Sequence, residues 1–395
     1  MHFCITIMYV PILHKTALIV NIKLTNLTSI RCSMQPRIAI IGGGIAGLAF
    51  AVYYQQLGGR VDIYERSPIS GREGLGFIML ENGLSALAEL DLLDAAKMNG
   101  YALEHCYIKD NLGHALKHQA LPNSFGTTRK AFIDCLLAKI PADWLHFDAQ
   151  FSHFTYHDNG NAYCAVFTSG QQISADIFLG CDGGRSQVRE QLYPNAPSSH
   201  GKVHELVSII DDPALVENLS HSFVKFKQHA GGLAVGMVPA TESKLVWFIQ
   251  FSRQMFTSPE HSAQSKWQFA QQTVGHWPQP IPQLIKHTNF NHSHLWQTRY
   301  LHPLPQYHRG NVVLLGDAAH ALLPFTSQGV NSAMVDAIEL AHSLWDIDLT
   351  MLPLALSQYS KKRKLIADTY LKQGIELQEE FLQPHHQEQK VPFAF

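Results

Sequence analysis

Charge is scarce in this 395-residue sequence. Asp, Glu, Lys and Arg make up 16% of it, and the net charge is −2. That balance offers no basic surface for nucleic acid or for an anionic membrane. After the first 33 residues no apolar run is long enough to span a bilayer. Cysteine is also sparse. Cys4, Cys32, Cys106, Cys135, Cys164 and Cys181 are widely spaced, without a C-x-x-C or a close pair. This excludes a redox-active dithiol and suggests free thiols in a reducing compartment, the cytoplasm. The 23 histidines are scattered: His14, His114, His118, His221, His229 and His302 sit in unrelated contexts. No H-E-x-x-H or Cys/His ligand cluster occurs, so no metal is expected.

What is present begins at Arg37 with "RIAIIGGGIAGLAFAVYYQQLGGRVDIYER". Ile38–Ile41 reads as a buried parallel strand, Ala46–Gln56 as a helix packed on the sheet, and Val61–Tyr64 as the next strand. Gly42, Gly44 and Gly47 keep G-x-G-x-x-G spacing between strand and helix. Gly42 allows the tight turn, Gly44 lets backbone approach a pyrophosphate, and Gly47 lets helix and strand pack closely. The helix start at Ala46 turns N–H groups and a positive dipole end toward phosphates. Glu65, eighteen residues after Gly47, can accept hydrogen bonds from ribose hydroxyls. The order of strand, glycines, helix, strand and acid marks a dinucleotide site. It does not separate NAD from FAD.

Two later stretches bear on that choice. "VVLLGDAAHALLPFTSQGVNSA" runs from Val312 to Ala333. A strand ending at Gly316–Asp317 places Asp317 at the carboxyl edge of the sheet, where such folds bind ligands. There it can accept from ribityl or ribose hydroxyls. Pro324 and a Gln328–Gly329 turn precede a helix near Val330, whose N-terminus suits an anionic ring such as a reduced flavin. His320 reads as structural. "CDGGRSQVR" from Cys181 to Arg189 is a turn at Asp182–Gly183 after a strand. Ser186 can cap the following helix, and Arg189 can pin the turn or meet a phosphate.

Together the three motifs resemble the class A FAD-dependent monooxygenases, the para-hydroxybenzoate hydroxylase-like family of aromatic-ring hydroxylases. The resemblance covers roughly Gln35 to Leu371 in motif order. It implies that Gly42, Gly44, Ala46, Gly47 and Glu65 hold the ADP half of FAD and that Arg66 flanks the adenosine. Arg129, in "TRKAFIDCL", matches a family arginine near the flavin. Asp182 and Gly183 are linked to FAD and to NADPH or NADH. Asp317 binds the ribityl chain, and Gly329, Val330 and Asn331 meet the ring through backbone. Two departures stand out. Ser327-Gln328-Gly329 replaces the common G-Q-G, which changes the turn beside the ring. "GKVHELVSII", Gly201 to Ile210, lacks the arginine that many relatives carry there for an anionic substrate or the nicotinamide.

The implied fold is α/β: a Rossmann-like FAD-binding domain of the glutathione reductase type, an inserted, mainly antiparallel substrate sheet, and a long C-terminal helix. The expected boundaries are 34–191 and 296–352 for the FAD domain, 192–295 for the substrate domain, and 353–395 for the helix and tail. Residues 1–33 are expected to be a disordered extension or a translation-start artefact. Within the body, Glu81–Lys97 reads as one helix through Leu84, Leu87, Leu90 and Leu93, Tyr107–His118 as a hairpin, and Arg129–Ile140 as a helix. In "LVWFIQF" (Leu245–Phe251), Trp247, Ile249 and Phe251 share one face. Val246, Phe248 and Gln250 share the other, so Phe248 and Gln250, with Pro324, are candidate substrate contacts.

The resemblance implies hydroxylation of a small aromatic or polycyclic substrate. NAD(P)H reduces FAD, O₂ adds at flavin C4a, and the hydroperoxide passes oxygen to the ring. No side chain is assigned as catalytic acid or base. No second G-x-G-x-x-G exists, since "GGLAVG" from Gly231 has the wrong spacing, and the halogenase W-x-W-x-I-P is absent. The nicotinamide would therefore visit transiently. Rival expectations are a flavin oxidase or dehydrogenase on the same fold, and a non-enzymatic binding protein that kept it. The expected assembly is a monomer or homodimer.

Overall fold

The computed structural model describes residues 35–67 and 75–384. The expectation for residues 1–33 and part of that for the tail lie outside them.

The strand Ile38–Ile41 is buried at all four positions, as an apolar run in a parallel sheet must be. It pairs in parallel with Val61–Tyr64 on one side and Ile177–Gly180 on the other. Val312–Leu314 extends the sheet beyond Ile177–Gly180, and Leu145–His146 extends it beyond Val61–Tyr64. His308–Arg309 closes one edge as the antiparallel member. The helix Ile45–Gln56 lies on this sheet with Ile45 to Tyr54 all buried. A Cβ on Gly47 would stand 2.5 Å from the Gly42 carbonyl oxygen, so only glycine permits that approach. A small three-stranded sheet, Phe151–Tyr156, Ala162–Phe167 and Gln172–Ile173, flanks the domain and realises the expected meander.

The second sheet has eight strands, in the order His294–Leu301, Ser198–Asp211, Lys244–Ser252, Leu233–Pro239, Ser222–Lys227, Tyr101–Asp110, Ala115–Thr128 and Gly76–Met79. All neighbours are antiparallel except Ser222–Lys227 with Tyr101–Asp110. The expected insertion at 192–295 is therefore too narrow. Three strands from 76–128 complete the sheet, because their hairpin would otherwise leave an apolar face uncovered. On the face away from the first domain, Trp247, Ile249 and Phe251 bury against the helices Ala263–Val274 and Ile281–His287, through Phe269, Leu284 and Ile285.

The single helix expected over Glu81–Lys97 is two, Glu81–Glu89 and Leu93–Met98. Asp91 between them takes a positive φ of 53°. The apolar period survives the break because Leu90 and Leu92 both turn inward. The helix expected over Arg129–Ile140 ends at Leu137. The C-terminal helix is Leu352–Leu382, 31 residues long. No helix among the described residues is long and apolar enough to cross a membrane.

Candidate active site

A cavity of about 400 Å³ opens where the two sheets meet. At one end lie Gly44, Ala46, Gly183, Asp317, Gly329 and Val330. At the other lie Phe248 and Gln250, with Arg129 and Pro324 also on the wall. Ten expected site residues thus converge on one space from five separate stretches of chain.

The remaining six do not line it. Gly42 sits behind the glycine loop at φ +103°, where a Cβ would come within 2.5 Å of the Cys181 carbonyl oxygen. Gly47 is held by helix packing. The Glu65 carboxylate accepts from the Gly43 N–H at 2.8 Å and the Ser67 N–H at 3.1 Å, which joins the second strand to the glycine loop. Arg66 is exposed. Asp182 Oδ2 accepts from the Gln187 and Val188 N–H groups at 2.7 and 3.1 Å, and Oδ1 is buried with no partner among the described residues. Burial pushes its carboxyl up, against the Ser186 and backbone hydrogen bonds that pull it down. The Asn331 side chain is spent on structure: it accepts from the Leu80 N–H at 3.0 Å and donates to the carbonyls of Ile78 and Ser327.

The D-G turn is built as its sequence suggests. Ser186 caps the helix Gln187–Leu192 by accepting from the Arg189 N–H at 2.8 Å. Arg189 pins the turn, donating to the carbonyls of Gly184 at 2.8 Å and Ala318 at 3.0 Å. That second contact ties the D-G turn to the G-D turn.

Asp317 opens the short helix Asp317–His320 after Gly316, which has a positive φ of 55°. Its side chain is open to the cavity yet enclosed by protein, and burial pushes its carboxyl above the usual range against His320, Arg129 and Arg189. Beneath it lies a network that sequence reading missed. Asp336 is fully buried and accepts from His320 Nε2 at 2.5 Å, Arg363 Nε at 2.6 Å and the Gly316 N–H at 3.1 Å. Arg363 also donates to the Ser332 hydroxyl at 2.9 Å. Burial alone would raise the Asp336 carboxyl, but the His320 and Arg363 charges outweigh it and hold it far below the usual range. His320 is buried and bonded to Asp336.

Ser327 takes the left-handed conformation, φ 53° and ψ 22°, and leads directly into the helix Gln328–Leu344. The departure from G-Q-G therefore keeps the turn. Left-handed backbone costs a residue with a Cβ roughly 1–2 kcal/mol. Glycine there would relieve that strain but lose about 0.4–1 kcal/mol through its freer unfolded chain. Ser327→Gly is thus expected to raise stability by roughly 0–1.6 kcal/mol and to leave flavin content and spectrum unchanged. A flavin-free S327G protein would show that the serine itself holds the cofactor.

These features fit an FAD. The helix Ile45–Gln56 starts with no side-chain cap, so first-turn N–H groups are available. Gly329 has open space where a side chain would stand. Asp317, Glu65 and the orphan oxygen of Asp182 are acceptors of the kind that cofactor hydroxyls would need.

The comparisons with known proteins agree. The model of a family described as FAD binding domain matches residues 36–373. Among curated relatives, aurachin C monooxygenase/isomerase of Stigmatella aurantiaca is 27% identical over 337 residues, covering 82% of this chain and 84% of the relative. The 6-hydroxynicotinate 3-monooxygenase of Pseudomonas fluorescens is 25% identical, covering 84% and 88%. The solved structure of Klebsiella pneumoniae HpxO with FAD and uric acid superposes with a TM-score of 0.76 at 21% identity, covering 87% of each chain. The chain belongs to the FAD-binding domain family, among the class A flavoprotein monooxygenases. It is an oxidoreductase with FAD as cofactor.

Proposed function

We propose that this chain hydroxylates a small aromatic or polycyclic substrate at the expense of NAD(P)H and O₂. The observation that carries the reading is the single cavity joining the flavin-side residues Asp317, Gly329 and Val330 to an apolar sheet face. FAD supplies the redox chemistry when bound, accepting hydride from the nicotinamide and activating O₂. This chain's residues orient the two partners and keep water out. Val246, Phe248, Val238 and Trp296 form the apolar wall against which a flat ring would stack. Three curated relatives bear names that fit: aurachin C monooxygenase/isomerase, 6-hydroxynicotinate 3-monooxygenase and 3-amino-4-hydroxybenzoate 2-monooxygenase. The ground for an oxidase or dehydrogenase is the Ser327 departure, and the retained turn weakens it.

The test is NAD(P)H consumption in air by flavin-loaded protein, with and without a panel of aromatics and polycyclic phenols. Sharp stimulation by one compound is the expected result. Flavin-loaded protein that ignores both nicotinamides throughout would turn the reading to an oxidase or dehydrogenase.

A further inference from the structure

The substrate end of the cavity holds a buried polar chain that the family motifs do not describe. Glu205, Gln250 and Lys225 all line the cavity, and each is 3–5% exposed. Gln250 donates through Nε2 to Glu205 Oε1 at 2.5 Å. Its own carbonyl oxygen accepts from Lys225 Nζ in a very short contact.

The sheet is built to allow this. Glu205 and Gln250 are direct cross-strand partners. Lys225 lies two strands beyond Gln250, across Leu233–Pro239. That strand presents Ala234 opposite Gln250 and Gly236 opposite Lys225. Two small residues on one face leave a trough, and the lysine crosses it to reach Gln250. A Cβ on Gly236 would stand 2.1 Å from the Phe248 ring.

Lys225 has three N–H donors as the ammonium and two as the neutral amine, and Gln250 is the one hydrogen-bond acceptor the described residues give it. Around its Nζ stand the rings of Phe248, Phe325 and Phe381, at 6.0, 5.8 and 5.6 Å. Donors are therefore left over in an apolar wall, facing the space where the substrate ring must lie. The strand Ser198–Asp211 carries no arginine over 201–210. At the cavity it presents Glu205 instead, and the cation enters from Ser222–Lys227. Arg129, the other cation on the wall, acts on Asp317 at the cofactor end.

We propose that Lys225 is the substrate anchor of this chain: its Nζ, presented by Gln250 and Glu205, takes the acidic hydroxyl of a phenol-type ring and holds it as the oxyanion. The inference rests on the hydroxylase reading above and names its substrate class. In the proton step the phenolic O–H bond breaks and an N–H bond forms on neutral Lys225. The lysine becomes an ammonium beside the oxyanion, and the pair's net charge does not change. Ionising the hydroxyl loads the ring with electron density, which favours attack by an electrophilic oxygen.

The electrostatics allow either protonation state. Burial, and Lys227 on the same strand, push the Lys225 ammonium down, while Glu205 and the Cys106 thiol pull the other way. Burial pushes Glu205 up, against Gln250 and Lys225. Lys227 and Glu380 border a small pocket behind Lys225, outside the main cavity. A lysine in this setting costs little to discharge and gains a partner when an oxyanion arrives.

The test uses flavin-loaded protein without nicotinamide, so it does not depend on turnover. The probe is 4-nitrophenol, whose absorption reports its own ionisation, with 4-nitroanisole as the ether that has no proton to lose. At pH 6 the wild-type protein should bind the phenol as phenolate. Lys225→Met keeps the unbranched stem. It should bind the phenol at least tenfold more weakly or in its neutral form, with 4-nitroanisole affinity unchanged. Glu205→Gln should keep the phenolate signal, since it removes a negative charge and leaves the lysine. The proposal is overturned if wild type leaves the probe un-ionised or unbound, or if K225M matches wild type. It is equally overturned if K225M and E205Q lose the signal together, which would mark the chain as structural only. Failure of NAD(P)H consumption would sink the hydroxylase reading without moving this signal.

Discussion

Asp336→Ala is expected to destabilise the protein by about 3–5 kcal/mol, the usual loss when one partner of a buried charge pair is removed. Asp336 is 0% exposed, Arg363 3% and His320 6%. Alanine would take the carboxylate from the buried Arg363 guanidinium and His320 imidazole, leaving Arg363 only its bonds to Ser332. It would also free the Gly316 N–H, whose bond to Asp336 holds the G-D turn. Thermal melts of flavin-free wild type, D336A and D336N check this. D336N retains one acceptor and should fall between the other two. A D336A melt within a degree of wild type would show that the network contributes nothing. The pH dependence has two limbs. Asp336 is lowered in the fold, so its contribution is present above the unfolded carboxylate value of about 4 and is lost as pH falls. Burial alone would lower the His320 imidazolium, but Asp336 outweighs it and the net shift is upward. Its contribution is therefore full below about pH 6.5 and is lost as pH rises through the folded value. His320→Gln should flatten the alkaline limb and also shrink the acid limb, because His320 and Arg363 together hold Asp336 low and only Arg363 would remain.

What the sequence made legible was local. Ile38–Glu65 places strand, turn, helix and acid within one unit, so each residue's job follows from its neighbours. The alternation in Leu245–Phe251 separates core from cavity because one strand decides it. Trp247, Ile249 and Phe251 went to the helices, while Val246, Phe248 and Gln250 went to the cavity. What escaped was non-local or disguised. Asp336 meets Arg363 across 27 residues, and no local pattern pairs them. Lys225 and Lys227 alternate with Val224 and Phe226 in "VKFK", which reads as one wet face and one dry. The sheet is covered on both faces at that point, so the nominal wet face meets the cavity at Lys225 and a smaller pocket at Lys227, and both lysines are buried. The larger sheet escaped for a similar reason: strands before residue 130 and after residue 198 are paired by the fold, and no spacing announces it.

Asp317→Asn is expected to separate cofactor binding from folding. Among the described residues its carboxylate takes no hydrogen bond, and it faces the cavity that holds the other flavin-side residues. Protein crowding pushes its carboxyl up, yet the side chain is exposed to the open cavity, so its charge contributes little to the flavin-free protein. Removing that charge should leave the flavin-free D317N melt equal to wild type or slightly above it. Its role emerges only with FAD present, when ribityl hydroxyls would donate to it. Hydrogen bonds to a charged acceptor contribute about 1.5–3 kcal/mol. D317N should therefore bind FAD on the order of 10–100-fold more weakly and emerge from gel filtration largely flavin-free. Glu65→Ala should lose flavin too, but with a lower melt, because Glu65 also ties the glycine loop through Gly43. Full flavin content in both variants would undo the cofactor assignment of these acids. A D317N protein that lost flavin and stability together would show that Asp317 supports the fold as well as the cofactor.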